Sequence, residues 1–435
     1  MTVFVCNPNT SLSGEIRVPG DKSISHRSII LSSIAEGCSD ITGFLLGEDS
    51  LNTLAAFQEM GVEIVREDDH VRVHGVGLDG LRAPGTDLDM GNSGTAMRLL
   101  LGLLAGQRFD SCLVGDRSLS SRPMGRVIDP LTSMGAQIDA EAGGRAPLRI
   151  RANAGLQAIE YHMPVASAQV KSCLLLAGLY ANGETVVHEP APTRDHSERM
   201  LRAYGCDVSS QGAEIRLRAG QRLQACDVEV PADISSAAFF MVAASIMPGS
   251  DILLKHVGIN PTRTGVIEIL QLMGGNLEIL NPREIGGEPV ADIRVQSASL
   301  KGIDIPERLV PLAIDEFPVL FVAAACAEGR TRLTGAEELR VKESDRIQSM
   351  ADGLDTLGVR NEVLADGIVI EGGPIGSGEV EAFDDHRIAM AFSVASLRAA
   401  GEICINGSDN VKTSFPGFVE LANAAGFGIQ VHDEH

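Results

Sequence analysis

The densest chemistry in the sequence lies at Gly20-Asp21-Lys22-Ser23-Ile24-Ser25-His26-Arg27, where cations and hydroxyls immediately precede an apolar run, SIILSSIAEG. A helix that apolar should be buried, so its first turn is an anion site. Unpaired amides and the helix dipole favour phosphate or carboxylate there, and Lys22 and Arg27 add full charges. Gly91-Asn92-Ser93-Gly94-Thr95 opens a second apolar helix without charge. Such a turn serves equally to cap the helix or to bring a ligand close to the backbone. Ser120-Ser121-Arg122-Pro123-Met124 and Ser167-Ala168-Gln169-Val170-Lys171 supply further donors in the second and third repeats described below. The C-terminal half adds Ile314-Asp315-Glu316, Arg340-Val341-Lys342-Glu343-Ser344-Asp345-Arg346, Asp384-Asp385-His386-Arg387 and Lys412-Thr413. Carboxylates interleaved with cations fit an exposed, salt-bridged face, which is the simpler account of Asp345. They also fit a site for two anionic substrates, where excess cation binds and one or two carboxylates with an ammonium move protons.

These residues are positioned by a unit that recurs six times. A polar turn precedes an apolar helix, beginning near Ser23, Gly94, Ala168, Ser235, Phe317 and His386. A second, amphipathic helix then ends on an apolar residue and a glycine, at Gly61, Gly135, Gly205, Gly274, Gly358 and Gly426, at intervals of 68 to 84 residues. Glycine at that place is the usual helix stop. The pattern predicts an α/β protein of six βαβαββ units, with one buried and one exposed helix in each. Six units are too many for one layer, so two domains of three units are expected. Val18-Pro19-Gly20-Asp21-Lys22-Ser23 recurs as Val230-Pro231-Ala232-Asp233-Ile234-Ser235, marking where the chain passes between halves. The expected division is 1-19 with 233-435 (units four to six) and an inserted domain 20-232 (units one to three).

The formal charge of -22 argues against nucleic acid or an anionic membrane as partner, while leaving room for a local cationic pocket. No apolar run is long enough to span a bilayer. Residues 1-13 resemble neither a signal nor a transit peptide, so a cytoplasmic protein is expected. Eight scattered cysteines lack the short spacings of a zinc or redox motif, which predicts reduced, mostly buried thiols and no metal centre.

Along essentially its full length the chain resembles the 5-enolpyruvylshikimate-3-phosphate (EPSP) synthases. GDKSISHR, GNSGT, RPMGR, SAQVK, IDEFP, RVKESDR, DDHRIAM and KTSFPGF occur in order, and GDKS, SAQVK, NPTR and RDHSE look like the class II branch. The resemblance implies the two-domain enolpyruvyl transferase fold, with an active site in the interdomain cleft that closes on shikimate 3-phosphate. It implies transfer of the enolpyruvyl group of phosphoenolpyruvate to the 5-hydroxyl of shikimate 3-phosphate, without metal or organic cofactor, by a monomer. By motif, Lys22, Ser23, Arg27, Ser167, Ala168, Gln169, Arg194, Asp315 and Lys342 resemble the shikimate 3-phosphate contacts, Arg194 from class II alone. Lys22, Asn92, Gly94, Arg122, Gln169, Glu343, Arg346, Arg387 and Lys412 resemble those around phosphoenolpyruvate. Lys22, Asp315 and Glu343 resemble the proton-transfer groups, with their division of labour open.

The resemblance also implies inhibition by glyphosate beside the GNSGT turn. The class II signatures suggest tolerance, Gly94 suggests sensitivity, and Leu99 stands where class I enzymes carry proline. A sister enzyme acting on UDP-N-acetylglucosamine carries a loop cysteine in a Gly-Gly-Cys context. The matching stretch here is Gly115-Asp116-Arg117, and Cys112 lies in the preceding strand-like run. A structural repeat scaffold would not need Asp315, Glu343, Lys22 and Lys412 together, and a degenerate, non-catalytic sugar-phosphate binder should have lost at least one of them, whereas all four are present.

Overall fold

The computed structural model describes residues 2-9, 11-153 and 155-433. Six apolar helices, Lys22–Ser33, Gly94–Leu104, Ala168–Gly178, Ile234–Ile246, Phe317–Ala325 and His386–Ala395, are buried along most of their length. In Ile234–Ile246 every residue is buried. Five of the six are capped by a side chain: Asp21, Ser93, Ser167, Asp233 and Asp385 each accept a bond from a first-turn amide. The sixth has Glu316 before it and proline in its first turn, where no amide hydrogen is needed.

The partner helices are Glu48–Glu59, Gly125–Ser133, His196–Ala203, Gly265–Leu272, Arg346–Thr356 and Phe418–Ala425. Each runs into the expected glycine, and all six of these glycines have φ between +78° and +118°. A side chain would be strained in that left-handed region, which is why glycine ends the helix.

Six sheets repeat one pattern, a parallel outer pair followed by antiparallel neighbours. Leu88–Asp89, Ser111–Val114, Arg145–Ile150 and Ile138–Glu141 form one. Glu160–His162, Glu184–His188, Glu214–Arg218 and Val208–Gln211 form the next. In the sheet of Arg330–Leu333, Gly367–Glu371 and Asn361–Leu364, a single parallel bridge from Asp304 to Arg332 replaces the outer strand.

Three units borrow a strand from a distant part of the chain. The first unit takes Val228–Glu229 as the parallel neighbour of Glu36–Thr42. The fourth takes Ser13–Ile16 beside Asp251–Gly258, and the last is completed by Thr2–Asn7 between Ile403–Asn406 and Gly428–Asp433.

The chain forms two compact units. One holds the residues up to Pro19, Pro231–Glu284 and Pro289 onward; the other holds Gly20–Val230 and Ile285–Glu288. Each has its own apolar core. The changeover after Val230 is two residues earlier than the expected boundary at 232/233. The Val230 amide still donates to Thr42 of the first sheet, whereas the Ala232 amide donates to His256 of the other unit. At the first crossing Gly20 is required by close approach, since a Cβ there would lie 2.0 Å from the Gly43 carbonyl oxygen. None of the eight cysteines is in a disulfide.

Candidate functional site

In the unit built on Gly20–Val230, the starts of the three buried helices are tied to one another through polar side chains. Arg27 is buried, and its Nε and Nη2 donate to Ser197 Oγ (2.7 Å) and Ser172 Oγ (2.8 Å), while Nη1 donates to the Ser23 carbonyl (2.9 Å). Burial lowers its pKa to about 10, and Glu198 and Asp21 work in the other direction, so the guanidinium stays charged at neutral pH. Arg194 is close enough for its charge to oppose that of Arg27. Lys22 Nζ lies 3.0 Å from Asp49 Oδ2, with the ammonium side chain partly exposed and the carboxylate nearly buried.

The second and third starts are joined by Arg98, which donates to Gln169 Oε1 at 2.7 Å and to the Gly94 carbonyl at 3.3 Å. Gln169 in turn donates to Thr95 Oγ1 at 2.8 Å. Arg122 donates to Asn92 Oδ1 (2.8 Å), and the Asn92 amide donates to Asp116 Oδ2 (2.7 Å). Ser167 caps its helix and Ala168 begins it, both half-buried. Lys22, Ser23, Arg27, Asn92, Gly94, Arg122, Ser167, Ala168, Gln169 and Arg194 therefore all belong to this one unit.

Sequence reasoning missed the residues that hold them. Asp49 and Arg98 are two. Lys171, read from sequence only as a further donor, is fully buried with its ammonium 2.7 Å from Glu198 Oε1 and 3.0 Å from Glu189 Oε1. For Arg98 and Lys171 the signal was available: a cation one turn inside an otherwise apolar helix must be paired.

His26, also fully buried, contacts Thr53 Oγ1 at 2.7 Å and Ser93 Oγ at 3.4 Å. Burial, and then the charge of Lys22, lower its pKa from 6.5 to about 3. The unfolded chain takes up a proton below pH 6.5 that the folded imidazole refuses, so stability falls as pH drops from 6.5 toward 3, by up to about 1.4 kcal/mol per pH unit. Chemical unfolding between pH 7.5 and 5 should show a loss in the parent that is reduced by that amount in His26→Gln. Identical slopes would contradict it.

In the other unit the carboxylates are organised by Arg346, which is 1% exposed. Its Nε and Nη2 donate to Asp385 (2.8 and 3.3 Å), Nη2 also to Glu343 Oε2 (2.6 Å), and Nη1 reaches Asp315 Oδ1 at 3.4 Å. Burial opposes this charge, and Asp385, Glu343 and Asp315 together outweigh it, raising the pKa above the ordinary arginine value. Lys342 Nζ is 3.7 Å from Asp315 Oδ1, and Arg387 Nη1 donates to the Asp315 carbonyl at 3.0 Å. Asp315, Lys342, Glu343, Arg346 and Arg387 thus form one connected group. Lys412 lies exposed on the short helix Val411–Ser414 of the same unit. Asp345 caps the helix Arg346–Thr356 and pairs with Arg340 at 2.7 Å, a structural role. Arg263, from the NPTR motif, is buried and donates to Ser235 Oγ (2.7 Å), whose hydroxyl donates to Glu316.

Over residues 6-421 the sequence matches the family described as EPSP synthase (3-phosphoshikimate 1-carboxyvinyltransferase). The chain belongs to the EPSP synthase family. A 3-phosphoshikimate 1-carboxyvinyltransferase of Methylococcus capsulatus is 62% identical over 430 residues, covering 99% of this chain and 98% of the relative. One from Alkalilimnicola ehrlichii is 62% identical over 428 residues, covering 98% and 96%. Among solved structures, an EPSP synthase from Acinetobacter baumannii superposes with a TM-score of 0.91 at 56% identity, covering both chains fully. The enolpyruvyl transferase NikO from Streptomyces tendae has a TM-score of 0.80 at 16% identity, covering 100% of this chain and 99% of its own, a likeness of fold. The six-unit α/β architecture read from the repeats is the fold of this family.

Proposed function

We propose that the chain transfers the enolpyruvyl group of phosphoenolpyruvate to the 5-hydroxyl of shikimate 3-phosphate, and that residues of both units act on this one pair of substrates. Family membership supports the reaction. The observation that carries the site assignment is that the Gly20–Val230 unit gathers cations at the starts of its buried helices, while the other unit gathers Lys342, Arg346 and Arg387 around Asp315 and holds Asp315 and Glu343 on a buried arginine. Two substrates that both bear phosphate or carboxylate need such an excess of positive charge.

In this reading Ser23, Arg27, Ser167, Ala168, Gln169, Arg194 and Lys342 hold shikimate 3-phosphate. Asn92, Gly94, Arg122, Gln169, Arg346, Arg387 and Lys412 hold phosphoenolpyruvate, with Glu343 beside it. Lys22 serves both substrates. The 5-hydroxyl oxygen bonds to C2 of phosphoenolpyruvate as C3 gains a proton and Asp315 receives the hydroxyl proton, which gives a tetrahedral ketal phosphate. The C2–O bond to phosphate then breaks as a proton leaves the C3 methyl. Lys22 and Glu343 are the groups for the proton moves at C3 and at the departing phosphate. Fixing both substrates contributes up to roughly 7 to 11 kcal/mol of the barrier reduction. Carbon keeps its overall oxidation level, so the reading calls for no redox cofactor.

Phosphate release measured with phosphoenolpyruvate and shikimate 3-phosphate tests the reading, with UDP-N-acetylglucosamine as the control acceptor. Release with the control alone, or binding of both substrates without release, would overturn it. We place the enzyme in the cytoplasm as a monomer. Among the described residues no helix is long and apolar enough to cross a membrane.

The same reading makes glyphosate a competitor of phosphoenolpyruvate beside Gly94. A Cβ at Gly94 would lie 2.9 Å from Arg98 Nη1 and 3.4 Å from Arg122 Nη1, the mobile ends of two long side chains. Gly94→Ala should therefore fold normally while pushing into the cationic pocket. The longer inhibitor should lose more affinity than the substrate, by about tenfold or more for a contact of 1 to 3 kcal/mol. Inhibition constants and KM measured side by side decide it. Equal losses would sink the steric argument, and unchanged binding of both would remove Gly94 from the pocket.

A further inference from the structure

The third sheet of the Gly20–Val230 unit carries a group of side chains that the family reaction does not use. Strand Glu160–His162 lies parallel to Glu184–His188, in a register that places His162 directly beside His188. Side chains two apart on a strand share a face, so Glu160 joins them. The antiparallel strand Glu214–Arg218 brings Glu214 opposite His188 on the other side. The two imidazole rings stack with centroids 4.1 Å apart and planes within 4°. Both Nε2 atoms face one carboxylate oxygen: Glu160 Oε1 is 2.9 Å from His188 Nε2 and 3.7 Å from His162 Nε2.

We propose that Glu160, His162 and His188 form a surface site for a divalent transition-metal ion of the zinc type. The three ligand atoms lie within 4.8 Å of one another. For metal–ligand bonds of 2.0 to 2.1 Å, the edge of a tetrahedron is about 3.3 Å, which the 2.9 and 3.7 Å separations bracket. A shared ion must lie near the plane of each ring, so closing the site requires the exposed His162 to turn out of the stack while Glu160 and the half-buried His188 stay in place. Two imidazoles and one carboxylate suit zinc over calcium or magnesium, which prefer oxygen donors.

Glu214 supplies an outer partner. Its Oε2 is 3.8 Å from His188 Nδ1, the nitrogen turned away from Glu160, and can take up the Nδ1–H when the ring adjusts. That fixes Nε2 as the metal-facing nitrogen and raises its basicity. Arg216 donates to Glu214 Oε1 at 2.6 Å and orients that carboxylate.

A metal here would clamp the parallel pair at the sheet edge. One strand runs on to Ser167 and the helix Ala168–Gly178; the other runs on to Glu189, which pairs with the buried Lys171. The ion is thus a structural clamp, and it takes no part in the transfer chemistry.

Calorimetric titration of the untagged full chain with zinc tests the proposal, with His162→Ala, His188→Ala and Glu160→Gln beside the parent. We expect one saturable ion per chain and at least a tenfold weaker Kd in each histidine variant. Zinc should also raise the melting temperature of the parent alone. Glu160 and His162 are exposed, so their metal-free variants should melt with the parent, which separates loss of ligand from loss of fold; His188 is half-buried, and its variant is read by binding alone. Cobalt titration gives an independent signature: visible bands of nitrogen and oxygen ligation without thiolate charge transfer. No saturable binding by the parent, binding unchanged in both histidine variants, or a thiolate signature would each overturn the site.

Discussion

Under the proposed reaction, Lys22→Ala should lower turnover by two to four orders of magnitude and leave the fold standing. That range is the usual contribution of one positioned proton-transfer group, and it corresponds to about 2.7 to 5.5 kcal/mol of transition-state stabilisation. The side chain is 22% exposed and its ammonium pairs with Asp49 at 3.0 Å, so truncation removes one partly solvated ion pair. The folding cost should be about 1 to 2 kcal/mol, mostly from leaving the Asp49 carboxylate with one partner fewer. Lys22→Arg keeps the charge but replaces a compact ammonium with a planar fork, so it should recover substrate binding more than kcat. Pre-steady-state phosphate release and thermal melting on the same samples give both quantities. Turnover within a factor of about three of the parent, in a folded Lys22→Ala protein, would remove Lys22 from the chemistry.

The parts of this molecule that were legible in sequence are those encoded locally. A buried helix needs a run of apolar residues, a polar cap and a stop, all within about fifteen positions. All six such helices begin within a residue of where these signals put them. The six glycine stops have positive φ for the same reason: the helix and its terminator are neighbours in the chain. Strand exchange is the opposite case. Nothing near Val228–Glu229 says that its neighbour is the strand Glu36–Thr42, and nothing in Thr2–Asn7 says that it completes a sheet with residues beyond 400. Those pairings are set by which edge remains open once the rest of a unit has formed.

The candidate site divides along the same line. Residues at helix starts were identified because their motifs are contiguous, while their partners were missed because they come from other elements. Asp49 is on the amphipathic helix of the first unit, Ser172 and Ser197 reach Arg27 from the third, and Asp385, visible in its own motif, gave no sign there that it reaches Arg346 from the sixth. The imidazoles of His162 and His188 are the sharpest instance. They are 26 positions apart, a spacing with no metal-binding signature, and only strand register brings them face to face.

Arg346 holds the buried Asp385 together with two carboxylates of the candidate site, and its replacement should be the most damaging in the C-terminal unit. Arg346→Met preserves much of the volume but withdraws the charge that compensates Asp385, which is fully buried. Breaking a buried pair from one side typically costs about 3 to 5 kcal/mol, because the remaining charge has no solvent to replace its partner. Ser344 Oγ, 3.1 Å from Asp385 Oδ2, and the Arg387 amide, which donates to Asp385 Oδ1 at 3.0 Å, soften that loss without cancelling the charge. Adding Asp385→Asn should therefore return part of the stability, since asparagine can still cap the helix His386–Ala395 while the orphan charge disappears. The double variant should be more stable than the sum of the two single effects by at least about 1 kcal/mol, within the usual range for side chains in contact. Activity should not return with it, because Asp315 and Glu343 have lost the guanidinium that holds them, at 3.4 and 2.6 Å. Denaturant unfolding and turnover of the four proteins in this cycle separate the two roles. Additive stabilities would show that Arg346 and Asp385 do not depend on one another, and recovered turnover in the double variant would show that the arginine serves the fold alone.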